Sequence, residues 1–593
     1  MTVDAEPLQI PTLSALKRAF REAPQLGTGF VATLMLAVLG TAGQLVVPIV
    51  IQRITDKQLL APEGPDVGQV IMLGLAALVL LALAAWVTRV AVIRLSVNTA
   101  GGLAQLRMKL FRHLHRLSII DLQTERRGAL VSRVTSDINT IQEFTEWGGT
   151  GLVVGSAQIV LSLLVMFFYQ WQLALLVLGG VIVYALMVAW FQRRLQRAHD
   201  GVRERVADSL AVMGETITGL QVVRAYGVED VTLKRVRDTL QLQVRAEHRA
   251  NTLSAIFFSS AELFAAAITA GVVAMGILIG PDVGTSAGTL LAFLFLVNLM
   301  IEPIQTLVET IDQAQRAAAG VRRVLRVLDS PISIPDPVDG TVLPPGGLGA
   351  NYHDVSLHYP GGAEPALSGV NVEIEPGQRV AVVGETGSGK TTFAKLMTRL
   401  LDPTEGAITL GGVPLTGVRF DSLRKRVAFV PQEGFLFSAS VGDNVRYGKP
   451  NATDRELETA FMELGLGSWL DRLPDGLTTQ VGERGGNLSA GERQLVAMVR
   501  AWISEPDLLV LDEATSAVDP ALDVQLREAI ERLTRGRTSV TIAHRLSTAE
   551  AADRVLVFDE GKLVEDGRHI ELLSGGGVYA SLYRDWSAGT REV

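Results

Sequence analysis

The chain predicts a two-part protein, an α-helical membrane bundle of six transmembrane helices followed by an α/β P-loop nucleoside triphosphatase domain. Three observations predict it. Six stretches in the first half are apolar and about 20 residues long, the length a helix needs to cross a hydrocarbon core of about 30 Å. A glycine-rich loop, Gly384-Glu385-Thr386-Gly387-Ser388-Gly389-Lys390-Thr391, follows the β-rich run Val380–Val383. Further along stands the heptapeptide Leu488-Ser489-Ala490-Gly491-Glu492-Arg493-Gln494.

Composition agrees with a membrane portion. Of 593 residues, 48% are hydrophobic and 20% charged, where a soluble protein carries about a quarter charged; mean hydropathy is +0.29. The net charge of -8 gives no basic footprint for phosphate backbones, which argues against nucleic-acid binding. With no cysteine, disulfides, thiolate zinc sites and cysteine nucleophiles are excluded.

Residues 1–25 form a cytoplasmic segment with no short apolar region ending in a small-residue cleavage site. Leu13, Leu16 and Phe20 share one helical face and Lys17, Arg18 and Arg21 lie elsewhere, which predicts an amphipathic elbow helix on anionic lipid. The transmembrane domain, residues 26–328, places its spans at roughly Leu26–Ile51, Val70–Val87, Gly151–Tyr169, Trp171–Phe191, Leu253–Leu278 and Ala287–Val308. Between spans two and three, and between four and five, lie long Arg-rich helical stretches, and the positive-inside bias puts them in the cytoplasm. Both termini then face the cytoplasm, in a multi-pass protein of the cell (inner or plasma) membrane. Residues 329–349 are dense in proline and read as a linker. Residues 350–593 alternate β-rich runs (Val380–Val383, Val427–Val430, Leu508–Leu511, Ser539–Ile542) with amphipathic helices, the pattern of a parallel sheet covered on both faces.

The glycine loop is placed as a phosphate cradle must be, between a buried strand and a helix start. Its glycines let backbone N–H groups approach phosphates, to which the helix N-terminus adds positive potential. Gly384, Glu385, Thr386, Gly387, Ser388, Gly389, Lys390, Thr391 and Thr392 are the candidate ATP contacts, with Lys390 on the β- and γ-phosphates and Thr391 on Mg²⁺. Leu508–Leu511 leads into Asp512-Glu513. Asp512 fits the role of holding Mg²⁺, and Glu513 that of orienting and deprotonating the attacking water.

The heptapeptide Leu488–Gln494 resembles the signature motif of ATP-binding cassette (ABC) transporters, and the six spans with two long excursions resemble the membrane domain of the family's exporters, a resemblance that implies turns of the excursions at short coupling helices near Asp121–Gly128 and Gly219–Gly227. By that resemblance Tyr359 stacks on adenine, Gln432 is the Q-loop residue touching Mg²⁺ and the membrane domain, Gly482–Gly485 is the X-loop, Asp519 belongs to the D-loop, and His544 is the switch histidine at the γ-phosphate. Ser489 and Gly491 then close over ATP held by a second half-transporter. A homodimer is the simplest reading because no motif is degenerate; a heterodimer is the alternative. Ala490 and Glu492 replace the commoner Gly and Gln.

The resemblance implies ATP-driven export of a hydrophobic or amphipathic compound, a drug or lipid, with membrane lipids as surroundings. An importer on the same fold and an ATP-gated channel or regulator are the alternatives. Within the spans, Glu262, Glu302, Gln44 and Asn298 are the candidate substrate-cavity residues, with Gln158 a further polar candidate. A cavity-facing Glu262 or Glu302 favours cationic or zwitterionic amphiphiles; pairing with a neighbouring helix or reaching the interface is the other reading.

Overall fold

A computed structural model describes residues 12–59, 66–124, 132–283, 285–362, 364–512, 520–543 and 546–589. It divides into a helical unit, Ala5–His115 with Gly128–Ser330, and a second unit built from Arg116–Arg127 and Pro331–Val593.

The helical unit opens with helix Thr12–Glu22. Ala19 and Ala23 are buried, and the rings of Phe20 and Phe30 meet edge-on at 5.8 Å. Of the three cations expected on lipid, Lys17 and Arg21 are exposed. Arg18 departs from that expectation. Its guanidinium donates to Asp329 at 2.8 Å and so ties the N-terminal helix to the end of the sixth span.

Among the described residues six helices are long and apolar enough to cross a membrane: Pro24–Gln58, Val67–Leu114, Arg133–Tyr169, Trp171–Thr218, Glu229–Leu278 and Ala287–Asp329. The second, at 48 residues, is about 72 Å long at 1.5 Å per residue. It therefore runs far beyond the bilayer. The first is not one helix: Phe30–Gln44 stops and Val46–Ile54 begins anew. Pro48 has no N–H to offer the carbonyl of Gln44, four residues earlier, so the ladder breaks there. Spans one and two pack almost backbone to backbone. A Cβ on Gly40 would fall 2.1 Å from Thr88 Oγ1, and one on Gly43 2.2 Å from Ala84 Cβ.

Pro303 sets the same problem inside the sixth span, whose helix nevertheless continues to Asp329. The carbonyl deprived of its partner is Leu299, and Gln158 Nε2 from the third span donates to it at 2.9 Å. Gln158, a polar cavity candidate from sequence, is thus buried and spent on backbone repair. Leaving that carbonyl unpaired costs about 1–3 kcal/mol. Gln158→Leu therefore lowers the thermal unfolding temperature of the detergent-solubilised protein, and it does so far less in a Pro303→Ala background, where residue 303 regains its N–H. An equal drop in both backgrounds would show that Gln158 stabilises by some other contact.

The second of the expected turns is the helix Leu220–Tyr226, begun after Gly219 and ended by Gly227 at φ +62°. Its Val222 and Tyr226 are 60% and 78% exposed. The first turn contains the helix Ile119–Thr124, and the rest of the expected Asp121–Gly128 turn lies outside the described residues. That helix groups with the second unit: Ile120 packs on its core and Asp121 accepts from Ser333 at 2.9 Å.

In the second unit the proline-dense segment differs from a free linker. Leu343 and Leu348 are buried in the core, and the Leu343 N–H donates to Ser422 Oγ at 3.0 Å. Two sheets follow. One is four-stranded and antiparallel, ordered β2-β1-β4-β5, from β1 (Ala350–Leu357), β2 (Leu367–Ile374), β4 (Glu405–Leu410) and β5 (Val413–Pro414). The other is six-stranded, ordered β10-β9-β3-β8-β7-β6, from β3 (Arg379–Gly384), β6 (Val427–Val430), β7 (Leu508–Asp512), β8 (Thr538–Ile542), β9 (Arg554–Asp559) and β10 (Lys562–Gly567). The four runs read as strands from sequence are β3, β6, β7 and β8 of this second sheet, all parallel to their neighbours. The antiparallel sheet is an addition to what the sequence predicts.

Candidate functional site

The register of the parallel sheet brings the nucleotide motifs together. Val382 of β3 pairs with Ile542 of β8, and Ile542 pairs with Asp512 of β7. The glycine loop after β3, the chain after β8 and the end of β7 therefore lie side by side at the carboxyl edge, where α/β sheets bind ligands.

Three loop positions, Gly384, Gly387 (φ +89°) and Gly389, have backbone conformations that favour glycine, and two of them also leave no room for a Cβ. Gly384 sits at φ +149°, and a Cβ there would fall 2.1 Å from the Phe558 carbonyl; Gly389 sits at φ +100°, with Ala366 O 2.5 Å away. Helix Lys390–Met397 begins directly after Gly389. Lys390 is buried, and its Nζ donates to the carbonyls of Gly384 at 2.8 Å and Glu385 at 2.6 Å. This arches the loop over the helix start, with Glu385, Thr386 and Gly387 exposed on its crest. Ser388 Oγ is buried with no hydrogen-bond partner. A hydroxyl orphaned beside a helix N-terminus fits a phosphate oxygen. Thr392 is buried behind the loop, and its hydroxyl is 3.2 Å from that of Tyr359, which stands half-buried beyond the end of β1.

Thr391 Oγ1 approaches Asp512 Oδ1 at 3.4 Å, with Asp512 buried. A hydroxyl and a carboxylate set together beside a phosphate cradle are the all-oxygen donors that suit Mg²⁺, which otherwise keeps waters and substrate phosphates. Val430 of β6 pairs with Leu511, so Gln432, exposed, leaves the sheet on the strand next to that of Asp512. Glu513, Asp519 and His544 lie outside the described residues, the first directly after Asp512 and the last two positions after Ile542.

The signature sits on a different core, in helix Ala490–Ile503. Ser489 is its exposed N-cap and Gly491 is buried in its first turn. Glu492, which sequence reading treats only as a departure from the family, carries much of the turn. Its carboxylate accepts from the Ser489 N–H at 2.9 Å and from Trp469 Nε1 at 3.2 Å, and its own N–H donates to Ser489 Oγ at 3.3 Å. The Ser-x-x-Glu spacing is the signal that could have found this capping box. Burial raises the Glu492 pKa, but the hydrogen bonds from Ser489 and Trp469 outweigh it and hold the carboxyl below the usual range. A depressed carboxylate stabilises above its unfolded pKa and loses that contribution as pH falls through the folded one. Glu492→Ala therefore costs about 1 kcal/mol at pH 7, and the gap in unfolding temperature from wild type narrows as pH is lowered below the ordinary Glu range. A gap independent of pH would overturn this role.

The proposed cavity residues Gln44, Glu262, Asn298 and Glu302 are all exposed on the helical unit. Asn298 Nδ2 donates to Leu294 O of its own helix at 2.9 Å.

Residues 30–304 match the model of the ABC transporter transmembrane region, and residues 367–516 that of the ABC transporter cassette. An ATP-dependent lipid A-core flippase of Desulfotalea psychrophila is 33% identical over 481 residues, covering 80% of this chain and 83% of that one. The chain belongs to the ABC transporter family. It is a half-transporter of the exporter type, a multi-pass membrane protein that binds and hydrolyses ATP. A multidrug efflux ATP-binding/permease protein of Mycobacterium bovis is 34% identical, over 82% of this transporter but only 40% of its own length. The fold matches a solved bacterial Atm1-family ABC exporter with ATP bound, at a TM-score of 0.76 and 24% identity, over 94% of this chain and 98% of that one. Half-transporters of this kind generally function as dimers.

Proposed function

We propose that the transporter exports a hydrophobic or amphipathic compound, a lipid or drug, from a cell membrane whose cytoplasmic face carries the cassette, and that it works as a homodimer. Mg²⁺ is its cofactor. When bound, the ion neutralises charge on the β- and γ-phosphates. Thr391 and Asp512 hold it, with Gln432 at its edge; Lys390 and the loop N–H groups hold the phosphates, and Tyr359 receives the adenine. Glu513 takes the proton of the attacking water, and His544 lies against the γ-phosphate. Ser489 and Gly491 complete the ATP site of the second subunit, and Asp519 serves as the D-loop residue.

The observation that carries the export reading is the exposure of Glu262 and Glu302 on apolar spans, in a chain similar to a lipid A-core flippase and a multidrug efflux protein. A carboxylate in a span is costly unless it faces a cavity or a partner. Exposure of Val222 and Tyr226 on the second cytoplasmic turn supports a partner chain, because apolar side chains presented at a solvated tip favour a protein surface.

The test is ATP-dependent uptake of a cationic hydrophobic dye and of a fluorescent phospholipid into inverted vesicles. Accumulation inside, lost in Glu262→Gln with Glu302→Gln, supports the reading. ATP hydrolysis without accumulation of either probe would identify a channel or regulator, and accumulation only in right-side-out vesicles an importer.

A further inference from the structure

One face of the parallel sheet is covered in two parts. Helix Pro520–Thr534 sets Leu526, Ala529 and Leu533 on a cluster with Leu509 and Leu511 of β7, while Ala549 of helix Leu546–Glu550 joins Ala381 and Val383 of β3 in a second cluster. Between the two parts, over β8, lies a cavity of about 450 Å³, partly open to solvent. That is within the size range of small-molecule sites. Its cause is in β8. A strand of a parallel sheet covered on both faces is continuously apolar, yet on this face β8 carries Ser539 and Thr541. In register they stand between Leu509 and Arg379, and between Leu511 and Ala381.

Ser539 is buried, and among the described residues neither its hydroxyl nor that of Thr541 has a hydrogen-bond partner. Ser547 and Thr548 add two more unpartnered hydroxyls from helix Leu546–Glu550. Buried polar groups are paired as a rule, so hydroxyls left over on a cavity wall are met by what fills the cavity. The charges on the walls, by contrast, are neutralised in place. Arg379 donates to Asp553 at 2.8 Å, Arg527 donates to Asp523 at 2.9 Å, and Glu531 accepts from Arg535 at 2.9 Å. An ion therefore finds no opposite charge to pair with. Among the described residues no aromatic ring lines the cavity, so a flat base has nothing to stack on. What remains is a set of hydroxyls, each able to donate or accept, beside the methyl groups of Ala381, Ala551 and Ala552. That combination matches a molecule that presents hydroxyls and C–H groups together and carries no charge.

We propose that this cavity is a regulatory site for an uncharged sugar, whose hydroxyls bond those of Ser539 and Thr541. The regulatory part rests on the ATP site proposed above. Helix Pro520–Thr534 leads directly out of Asp519, and helix Leu546–Glu550 begins two residues after His544. A sugar wedged between these helices braces the chain on both sides of that site, so occupancy slows turnover.

Saturation-transfer NMR of the full-length transporter in lipid nanodiscs, free of sugar-based detergent, tests binding with glucose and trehalose as probes and citrate as a charged counterpart, all without ATP. A sugar gives a saturable signal and citrate gives none. Ser539→Ala and Thr541→Val each weaken binding about fivefold, the change that loss of one neutral hydrogen bond carries. Ala551→Phe, which fills the cavity from an exposed position, abolishes it; nucleotide binding checks that the variants fold. A signal absent for both sugars, or unchanged in all three variants, would overturn the site, and citrate binding of equal strength would overturn the ligand class. Because binding is read without ATP, it fails or stands independently of the proposed ATP site. With ATP and Mg²⁺ present, saturating sugar lowers turnover about twofold or more in the wild type and leaves Ser539→Ala with Thr541→Val unaffected at the same concentration. Saturable binding with unchanged wild-type turnover would overturn the regulatory role.

Discussion

Lys390→Met reduces ATP turnover of the purified transporter to about a hundredth of wild type or less, the loss that follows removal of one preorganised charge from a reacting centre. Methionine keeps the length and burial of the side chain, so the helix start survives; what goes is the ammonium that bridges the Gly384 and Glu385 carbonyls and would meet the phosphates. Those two carbonyls also lose their donor, which loosens the loop and weakens nucleotide binding. The measurement is ATPase activity alongside nucleotide affinity in the same preparation. Turnover within threefold of wild type would remove Lys390 from the site.

Glu513→Gln leaves ATP binding intact and slows hydrolysis by about a thousandfold, within the range for loss of a general base. Gln retains the shape and one acceptor oxygen but takes no proton from water. The variant should elute from gel filtration with unhydrolysed ATP bound in Mg²⁺, whereas Lys390→Met elutes empty. This contrast separates binding from chemistry. Hydrolysis at the wild-type rate in Glu513→Gln would sink the assignment and leave His544 as the residue to test next.

What was legible in the chain was what is encoded locally. An apolar run of the right length reports a span, and the glycine loop reports a phosphate cradle because its backbone conformations, at Gly384 and Gly389, are open to few other residues. The parallel strands were legible because burial on both faces leaves them continuously apolar, as in Leu508–Leu511. The antiparallel sheet was not, since β1 breaks the alternation that marks a half-buried strand, with His353 and Asp354 exposed in succession and Val355 to Leu357 buried in succession, and it pairs with β2 in irregular register. Pairings across the bundle were invisible for a different reason. That Gln158 serves the carbonyl freed by Pro303, or that Arg18 reaches Asp329, depends on which helix lies beside which, and periodicity carries no such information. The weight of Glu492 was present in its spacing from Ser489 but obscured by comparison with a commoner residue.

The chain after β6 lies hard against the signature helix. Gln494 Nε2 donates to the Pro431 carbonyl at 3.3 Å, and a Cβ on Gly434 would stand 2.8 Å from the backbone of Arg493. Gln432 lies between those two contacts, so if it touches its own nucleotide and Ser489 and Gly491 serve a partner's, as proposed, a displacement of Gln432 carries to the signature helix as well. The two catalytic events of a working pair are in that case not independent trials: the occupancy of one site sets the geometry of the other, and turnover should rise with ATP more steeply than a single binding curve allows.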